Sequence, residues 1–394
     1  MSEKTDNKVP NVPNLRFSSS ILDWELKPIT TLIEECSETT SNFEKYPLYS
    51  FTIEDGVVPK SERYERSFLV KKDGDSFKVV KYNNFVMNPM NLRFGAISYS
   101  KVKNDVSVSG YYNIFNIDNA QCNDYWEALF RRTKTLKLYD SVATGSLLEK
   151  KRVHFSQFRS LKFYIPEYNE RIKISLFFSK INERIDTQSK IIGNLESLIK
   201  GIRQRIFSAS NFDIRNSKEH ELGSFLSEYS KKNIENNLIS VSVGKYGIRR
   251  RDEIYSKELS DDYSKNKVIE KDSLIIGMGS TQIDIGILSK DEKYCVSPAY
   301  TTYKISGINS DYLREYLIHL NSLLSKRYMV IGARQGKSVN KSELMQHVLL
   351  VHNIEKQLKV VDIFNVFYDK LQKEKDILSL YKKQKAYLLA NMFI

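Results

Sequence analysis

Cysteine is scarce in this chain: three residues among 394, at Cys36, Cys122 and Cys295. The set is odd in number, scattered and without a C-x-x-C pair, so it indicates neither a disulfide framework nor a zinc site. No run of 18 apolar residues occurs, which leaves no candidate membrane-spanning helix. The opening MSEKTDNKVPNVPNLRF has no apolar signal region. The expectation is a cytoplasmic protein without a membrane partner.

Catalytic motifs are also wanting. No G-x-x-x-x-G-K-[ST] phosphate loop is present, so an ATP-driven motor has no support in the chain. The histidines (His154, His220, His319, His347, His352) are dispersed and form no H-E-x-x-H pattern. Asn88-Pro89-Met90 lacks the second proline and the ring of an Asn-Pro-Pro-aromatic motif, and reads as a strand end and turn. Gly277-Met278-Gly279 is a lone G-x-G, too short a signal for a cofactor loop. Asp261-Asp262 lies in a Lys/Ser-rich polar stretch and reads as solvated loop. No catalytic residue, metal or cofactor is therefore assigned to this chain.

What is abundant is positive charge and aromatic rings. Lys and Arg number 61 against 48 Asp and Glu, a net charge of +13, with 24 Tyr and 20 Phe beside only 8 Pro. A basic excess suits a polyanionic partner, nucleic acid before an anionic membrane surface, with a solvated basic exterior as the plain alternative. Most of the rings belong to the core.

The chain repeats itself. Residues 172–207, IKISLFFSKINERIDTQSKIIGNLESLIKGIRQRIF, align without a gap with 358–393, LKVVDIFNVFYDKLQKEKDILSLYKKQKAYLLANMF, at a shift of 186. Matched pairs include Lys173/Lys359, Phe178/Phe364, Ile191/Ile377 and Phe207/Phe393. Upstream, Val153 and Phe158 match Val339 and Leu344 at 186, VSGYYNIFNI matches VSPAYTTYKI at 188, KVVKYNNFV matches KVIEKDSLI at 189, and Gly56-Val57 matches Gly247-Ile248 at 191. An ordered series of shifts that changes in one direction marks a tandem duplication. Each copy starts with short apolar runs punctuated by Gly, Asn and Asp, which read as strands. Helical stretches follow at 122–133 and 310–325. Each copy thus reads as an α+β domain ending in one long helix. The loops after the shorter helices are expected to differ, with LLEKKR after Gly145-Ser146 as an insertion relative to Gly336-Lys337.

The long helices carry a heptad seam. In the first it runs through Phe178, Ile181, Ile185, Gln188, Ile192 and Leu195, and in the second through Phe364, Phe367, Leu371, Glu374, Leu378 and Tyr381. Steps of three and four give the 3.5-residue period that packs helices along one line, and the polar Gln188 and Glu374 at one seam position suit register setting. The simplest pairing of two helices that each follow their own domain is antiparallel. A helix of about 36 residues spans roughly 54 Å at about 1.5 Å per residue, or about 16 base-pair steps.

The segment PEYNERIKISLFFSKINERIDTQSKIIGNLESLIKGIRQRIFS resembles the central conserved region of the specificity subunits of type I restriction-modification systems. The likeness rests on Pro166, Glu170, Lys173-Ile174 and the terminal Gln204-Arg205-Ile206-Phe207, and the C-terminal copy resembles the distal conserved region. VPNLRF at 12–17 with Trp24, and GVVPKSERYE at 56–65, are similar to the start of many first target-recognition domains. A departure between the copies is His352 where the first has Pro166. The resemblance implies an α+β fold of two pseudo-repeated target-recognition domains (1–164 and 211–350) separated by an antiparallel coiled coil of two long helices (165–210 and 351–394). It implies a non-catalytic subunit in which each domain reads half of a bipartite DNA target and the coiled coil sets the spacer and docks partners. Those partners would be double-stranded DNA, two modification (methyltransferase) subunits and two motor-nuclease restriction subunits, with S-adenosylmethionine, ATP and Mg on the partner subunits.

DNA contacts belong in loops rich in Arg, Lys, Tyr and Asn. In the first domain these are Lys60, Arg63, Tyr64 and Arg66, with Lys150, Lys151 and Arg152; in the second, Arg249, Arg250 and Arg251, with Arg334, Gln335 and Lys337. Loops at equivalent positions are basic in both copies. Two other classes stay open on sequence: a self-sufficient DNA methyltransferase or nuclease, and a coiled-coil scaffold whose domains bind protein.

Overall fold

The computed structural model describes residues 11–20, 22–60, 77–146, 151–212, 217–244, 247–255, 262–332 and 336–394. Its α-helices are α1 (Asn123–Arg131), α2 (Thr133–Val142), α3 (Phe155–Ser160), α4 (Tyr168–Ile206), α5 (Ser310–Tyr328), α6 (Lys341–Met345) and α7 (Ile354–Asn391). The chain forms two compact units, one of Met1–Ser189 with Asp376–Ile394 and one of Lys190–Lys375. Each long helix thus lends one half to each unit.

In the first unit, strands Ile33–Glu35, Asn113–Ile117, Phe85–Met87 and Ile97–Tyr99 form an antiparallel sheet in that spatial order. A second layer comprises Thr39–Thr40, Phe77–Val80 and Val106–Ser109, with the hairpin Tyr49–Thr52/Gly56–Pro59 joined through the parallel bridge Leu48↔Ser107. Strand Glu25–Pro28 pairs with Lys162–Ile165 at the entrance to α4. The second unit repeats this plan. Leu226–Tyr229, Thr301–Ile305, Ser273–Met278 and Ile283–Leu288 make the four-stranded sheet. Gly247–Arg250, Ser240–Gly244, Tyr294–Val296 and Lys267–Ile269 make the second layer, again with one parallel pairing. Ser217–Glu221 pairs with Val348–His352 ahead of α7.

The repetition reaches single hydrogen bonds. Lys78 Nζ donates to the Tyr112 carbonyl at 2.8 Å, and its counterpart Lys267 donates to the Tyr300 carbonyl at 2.7 Å. Asn83 (φ 70°) and Asp272 (φ 61°) occupy the same left-handed turn position, which Asn and Asp tolerate better than other side chains. The next residue closes both turns: Asn84 Oδ1 accepts from the Lys81 amide at 2.7 Å and Ser273 Oγ from the Glu270 amide at 3.0 Å. Gly56 (φ 68°) and Gly247 (φ 76°) turn the matching hairpins, a conformation that glycine alone adopts without strain.

One sequence expectation is corrected here. The loops after α2 and α5 are equal in length, because Thr144 pairs with Arg152 as Val330 pairs with Ser338. No insertion separates them. The two closing residues stand at one shift, 186, Thr144 with Val330 and Arg152 with Ser338, so the basic run of the first copy replaces residues of the second rather than adding to them.

Within each unit the two long helices run in opposite directions. In the first, Lys385 Nζ of α7 donates to Asn182 Oδ1 of α4 at 2.6 Å, and Phe178 lies 5.8 Å from Phe393. In the second, Lys375 pairs with Glu196 at 2.9 Å and Arg203 reaches Tyr368 at 2.9 Å. The side chains at the seam are hidden: Phe178, Ile181, Gln188, Ile192, Phe364, Leu371 and Glu374 are buried, and Ile185, Leu195, Phe367, Leu378 and Tyr381 are half-buried. The aromatic residue closing each helix drives into a domain core. Phe393 packs on Tyr125 at 5.5 Å and Phe207 on Tyr312 at 5.4 Å. Both phenylalanines are buried, and each contributes about 1.5–3 kcal/mol of apolar burial.

Candidate nucleic-acid interface

In the first unit, Lys60 follows the hairpin strand Gly56–Pro59 and is half-buried. Lys151 and Arg152 stand on the return arm of the loop closed by two hydrogen bonds of 2.9 Å between Thr144 and Arg152. Lys151 is half-buried and Arg152 exposed. Arg63, Tyr64, Arg66 and Lys150 lie outside the described residues, as do Arg334 and Gln335.

In the second unit the three consecutive arginines separate into three environments. Strand alternation puts Ile248 against the core beside Gly286 and turns Arg249 outward, where it is exposed. Arg250 is neutralised by Asp252, with hydrogen bonds of 3.1 and 2.6 Å, and this pair holds the Asp252 carboxyl below the usual carboxylate range. Arg251 lies over the Tyr255 ring at 5.1 Å and donates to Ser242 Oγ at 3.4 Å. Lys337, exposed on the strand Gly336–Val339, donates to the Ser280 carbonyl at the tip of the neighbouring hairpin. The sequence-predicted cations among the described residues therefore sit on two hairpin ends in each unit.

Other motifs resolve as scaffold. Asn88, after strand Phe85–Met87, accepts from the Met90 amide at 3.1 Å and makes a turn. Gly277-Met278-Gly279 ends one strand of a hairpin whose next element is another strand, Ile283–Leu288, so no helix N-terminus meets it. Gly277 is required by close approach: a Cβ there would lie 2.3 Å from the Tyr300 ring. Burial pushes the Cys122 thiol up to about 12, an environment that keeps it unreactive. Among the described residues no three His, Cys, Asp or Glu side chains stand close enough to hold a metal ion. No helix of the described residues is long and apolar enough to cross a membrane.

Sequence reading missed a polar clamp, present in both units, that fixes each domain to the long helices. In the second unit Glu315 of α5 is fully buried. Arg203 of α4 donates to it twice, at 2.9 and 2.8 Å, and the Tyr368 hydroxyl of α7 at 3.0 and 3.1 Å. Burial, with the Glu315 charge, pushes the Tyr368 hydroxyl up to about 12, so it stays a donor. In the first unit the matching helix α1 supplies Asp124 and Glu127. Asn182 of α4 donates to Asp124 at 3.2 Å, and Lys385 of α7 is held on Asn182. Burial lowers the Lys385 ammonium and raises the Asp124 carboxyl, each favouring the neutral form. The available signal was Glu127 and Glu315 at one place in the two shorter helices, and Lys385, one four-residue step beyond Tyr381 on the seam.

The motif residues at the chain's opening also converge. Arg16 of VPNLRF forks onto the buried Glu170 at 2.9 and 2.8 Å, and Trp24 meets Phe393 edge to face at 6.3 Å.

No family model matches the chain, and no curated protein matches it in sequence. Solved structures do match. The S subunit of a type I restriction-modification system from M. genitalium is similar over 97% of this chain and 99% of its own, at 14% identity and a TM-score of 0.58. A chain from a structural study of complex assembly and conformational transition of the type I R-M system is similar over 93% of this chain and 96% of its own, at 13% identity and a TM-score of 0.53. The likeness is one of fold: two repeated α+β domains with a pair of long helices, the fold of the type I specificity subunits.

Proposed function

We propose that this chain is the DNA sequence-specificity subunit of a type I restriction-modification complex. Each globular domain reads one half of a bipartite target, and the long helices set the spacer and dock the modification subunits. The chain selects the sequence; adenine methylation and ATP-driven cleavage belong to partner subunits that carry S-adenosylmethionine, ATP and Mg. The observation that supports this reading most is the whole-chain likeness to a specificity subunit, which takes in both repeats and both helices. The basic hairpin ends of each unit suit a phosphate backbone.

The test is binding by the chain assembled with its modification subunit. The cognate duplex, identified by mapping methylated motifs with and without the gene, should bind about 10³-fold or more tighter than a random duplex at physiological salt. Equal affinity for the two would overturn the proposal. Methylation by the pure chain with S-adenosylmethionine would instead favour a self-sufficient enzyme. Matched one-heptad insertions in α4 and α7 should lengthen the spacer of the recognised motif.

A further inference from the structure

The second unit repeats cations of the first at two places. In the hairpins turned by Gly56 and Gly247, the residue directly after the returning strand is Lys60 in one unit and Arg251 in the other. In the loops closed by Thr144↔Arg152 and Val330↔Ser338, the residue just before the closing partner is Lys151 in one and Lys337 in the other. Lys151 and Lys337 form no ion pair among the described residues, unlike Arg250 with Asp252. Arg249 breaks the symmetry. It is exposed, forms no ion pair among the described residues, and its counterpart in the first unit is the uncharged Val58.

Two units that read different half-sites meet the same sugar–phosphate backbone but different bases. A side chain present in both suits the chemistry common to both halves, and a side chain found in one suits the chemistry that differs. Resting on the specificity-subunit reading above, we propose that Lys151 and Lys337 are matched phosphate contacts that set the register of each domain on its half-site. Arg249 is then a base-reading residue of the second half-site, with the forked guanidinium that suits guanine O6 and N7. The bond from Lys337 to the Ser280 carbonyl holds its ammonium at the hairpin tip, and a neutral carbonyl leaves its charge uncompensated.

The experiment uses the assembled complex with cognate, single-mismatch and random duplexes over a salt series, read by fluorescence anisotropy. K151M and K337M should each weaken cognate and random binding by the same factor and make the log K against log salt slope shallower by about one. K337R should keep the parent slope. R249Q should weaken the cognate duplex about 10- to 100-fold, spare the random duplex, and relax discrimination at one base pair of the second half-site. Thermal melts of the variants should match the parent.

The inference is overturned if K151M or K337M changes discrimination with an unchanged salt slope, or if R249Q weakens both duplexes equally. It is also overturned if the variants bind like the parent. Should the parent complex itself fail to distinguish cognate from random duplex, the specificity-subunit reading falls, and this inference with it.

Discussion

Replacing Arg203 with methionine measures how firmly the second domain is tied to the helices. Glu315 is 0% exposed and Arg203 13% exposed, so removing the guanidinium leaves a carboxylate with little access to water. Breaking one side of a buried ion pair costs about 3–5 kcal/mol. Two donors remain on Glu315, the Tyr368 hydroxyl at 3.0 Å and Arg314 Nε at 3.1 Å, which puts the loss at the lower end, about 3 kcal/mol. A domain of this size shifts its melting midpoint by about 2–4 °C per kcal/mol, so the second unit should melt about 6–12 °C lower. The double variant R203M/E315M removes both charges and should lie within about 1 kcal/mol of the parent, so the coupling is at least about 2 kcal/mol, with the cost of E315M alone adding to it. Urea and thermal unfolding of the full chain, followed by circular dichroism, supply the four corners of the cycle. A loss below about 1 kcal/mol for R203M, or a double variant no more stable than the single, would refute the assignment of this contact as an energetic clamp.

Two further outcomes follow from the packing of the same unit. Gly277→Ala places a methyl group against a ring that cannot easily yield, since Tyr300 Oη is bonded to the Val243 carbonyl at 3.1 Å. A loss of about 1–3 kcal/mol by urea unfolding is expected, and a neutral result would show that the sheets slide apart freely. His352 lies flat on Phe212 at 4.3 Å with its Nδ1 2.9 Å from the Tyr312 hydroxyl, and burial, then Lys356, lowers its pKa from 6.5. Between that lowered folded value and 6.5 the unfolded chain binds the proton more tightly, so stability rises with pH across this window and is lost as pH falls through it. His319 and His347 are lowered too, chiefly by burial, and act in the same direction. Melting profiles from about pH 5 to about pH 7 should be steeper for the parent than for H352Q; superimposable slopes would exclude His352 as a contributor.

The parts of the fold legible in the sequence are those that repeat with a period. Heptad spacing marked α4 and α7 because a seam residue recurs whatever its neighbours are, and the shifts of 186 to 191 aligned hairpins whose residues differ. The helix read at 122–133 is α1, and a second helix, α2, follows it directly and was not read. Arg132 adopts an extended conformation (φ −70°, ψ 150°) that ends α1 and starts α2, and its side chain turns to Thr135 Oγ1 at 3.1 Å. Neither Gly nor Pro marks that break, so local pattern could not show it. The clamps were hidden for a different reason. Arg203 and Glu315 stand 112 residues apart, and Asn182 and Lys385 203 apart, so only tertiary pairing reveals their partnership. The arginine triplet 249–251 illustrates the limit of composition: three like residues in a row are one ion-paired, one stacked and one exposed.

Comparison of the two clamps explains which features a duplicated domain keeps. Both link a carboxylate of the shorter helix to a side chain from each long helix, yet the residues and the order differ: Glu315 bonds both Arg203 and Tyr368, whereas Asp124 bonds Asn182, which in turn holds Lys385. Arg203 keeps its charge when desolvated and grips a carboxylate in a fork, whereas a buried lysine loses part of its preference for the charged form. The first clamp is accordingly the weaker electrostatic tie, and that unit adds the Arg16–Glu170 fork near the start of α4. Geometry is shared where both domains face one task, seating on the helices, and side chains diverge where local packing offers another solution. The same reasoning separates Lys151 and Lys337, alike in both units, from Arg249, which the second unit alone possesses.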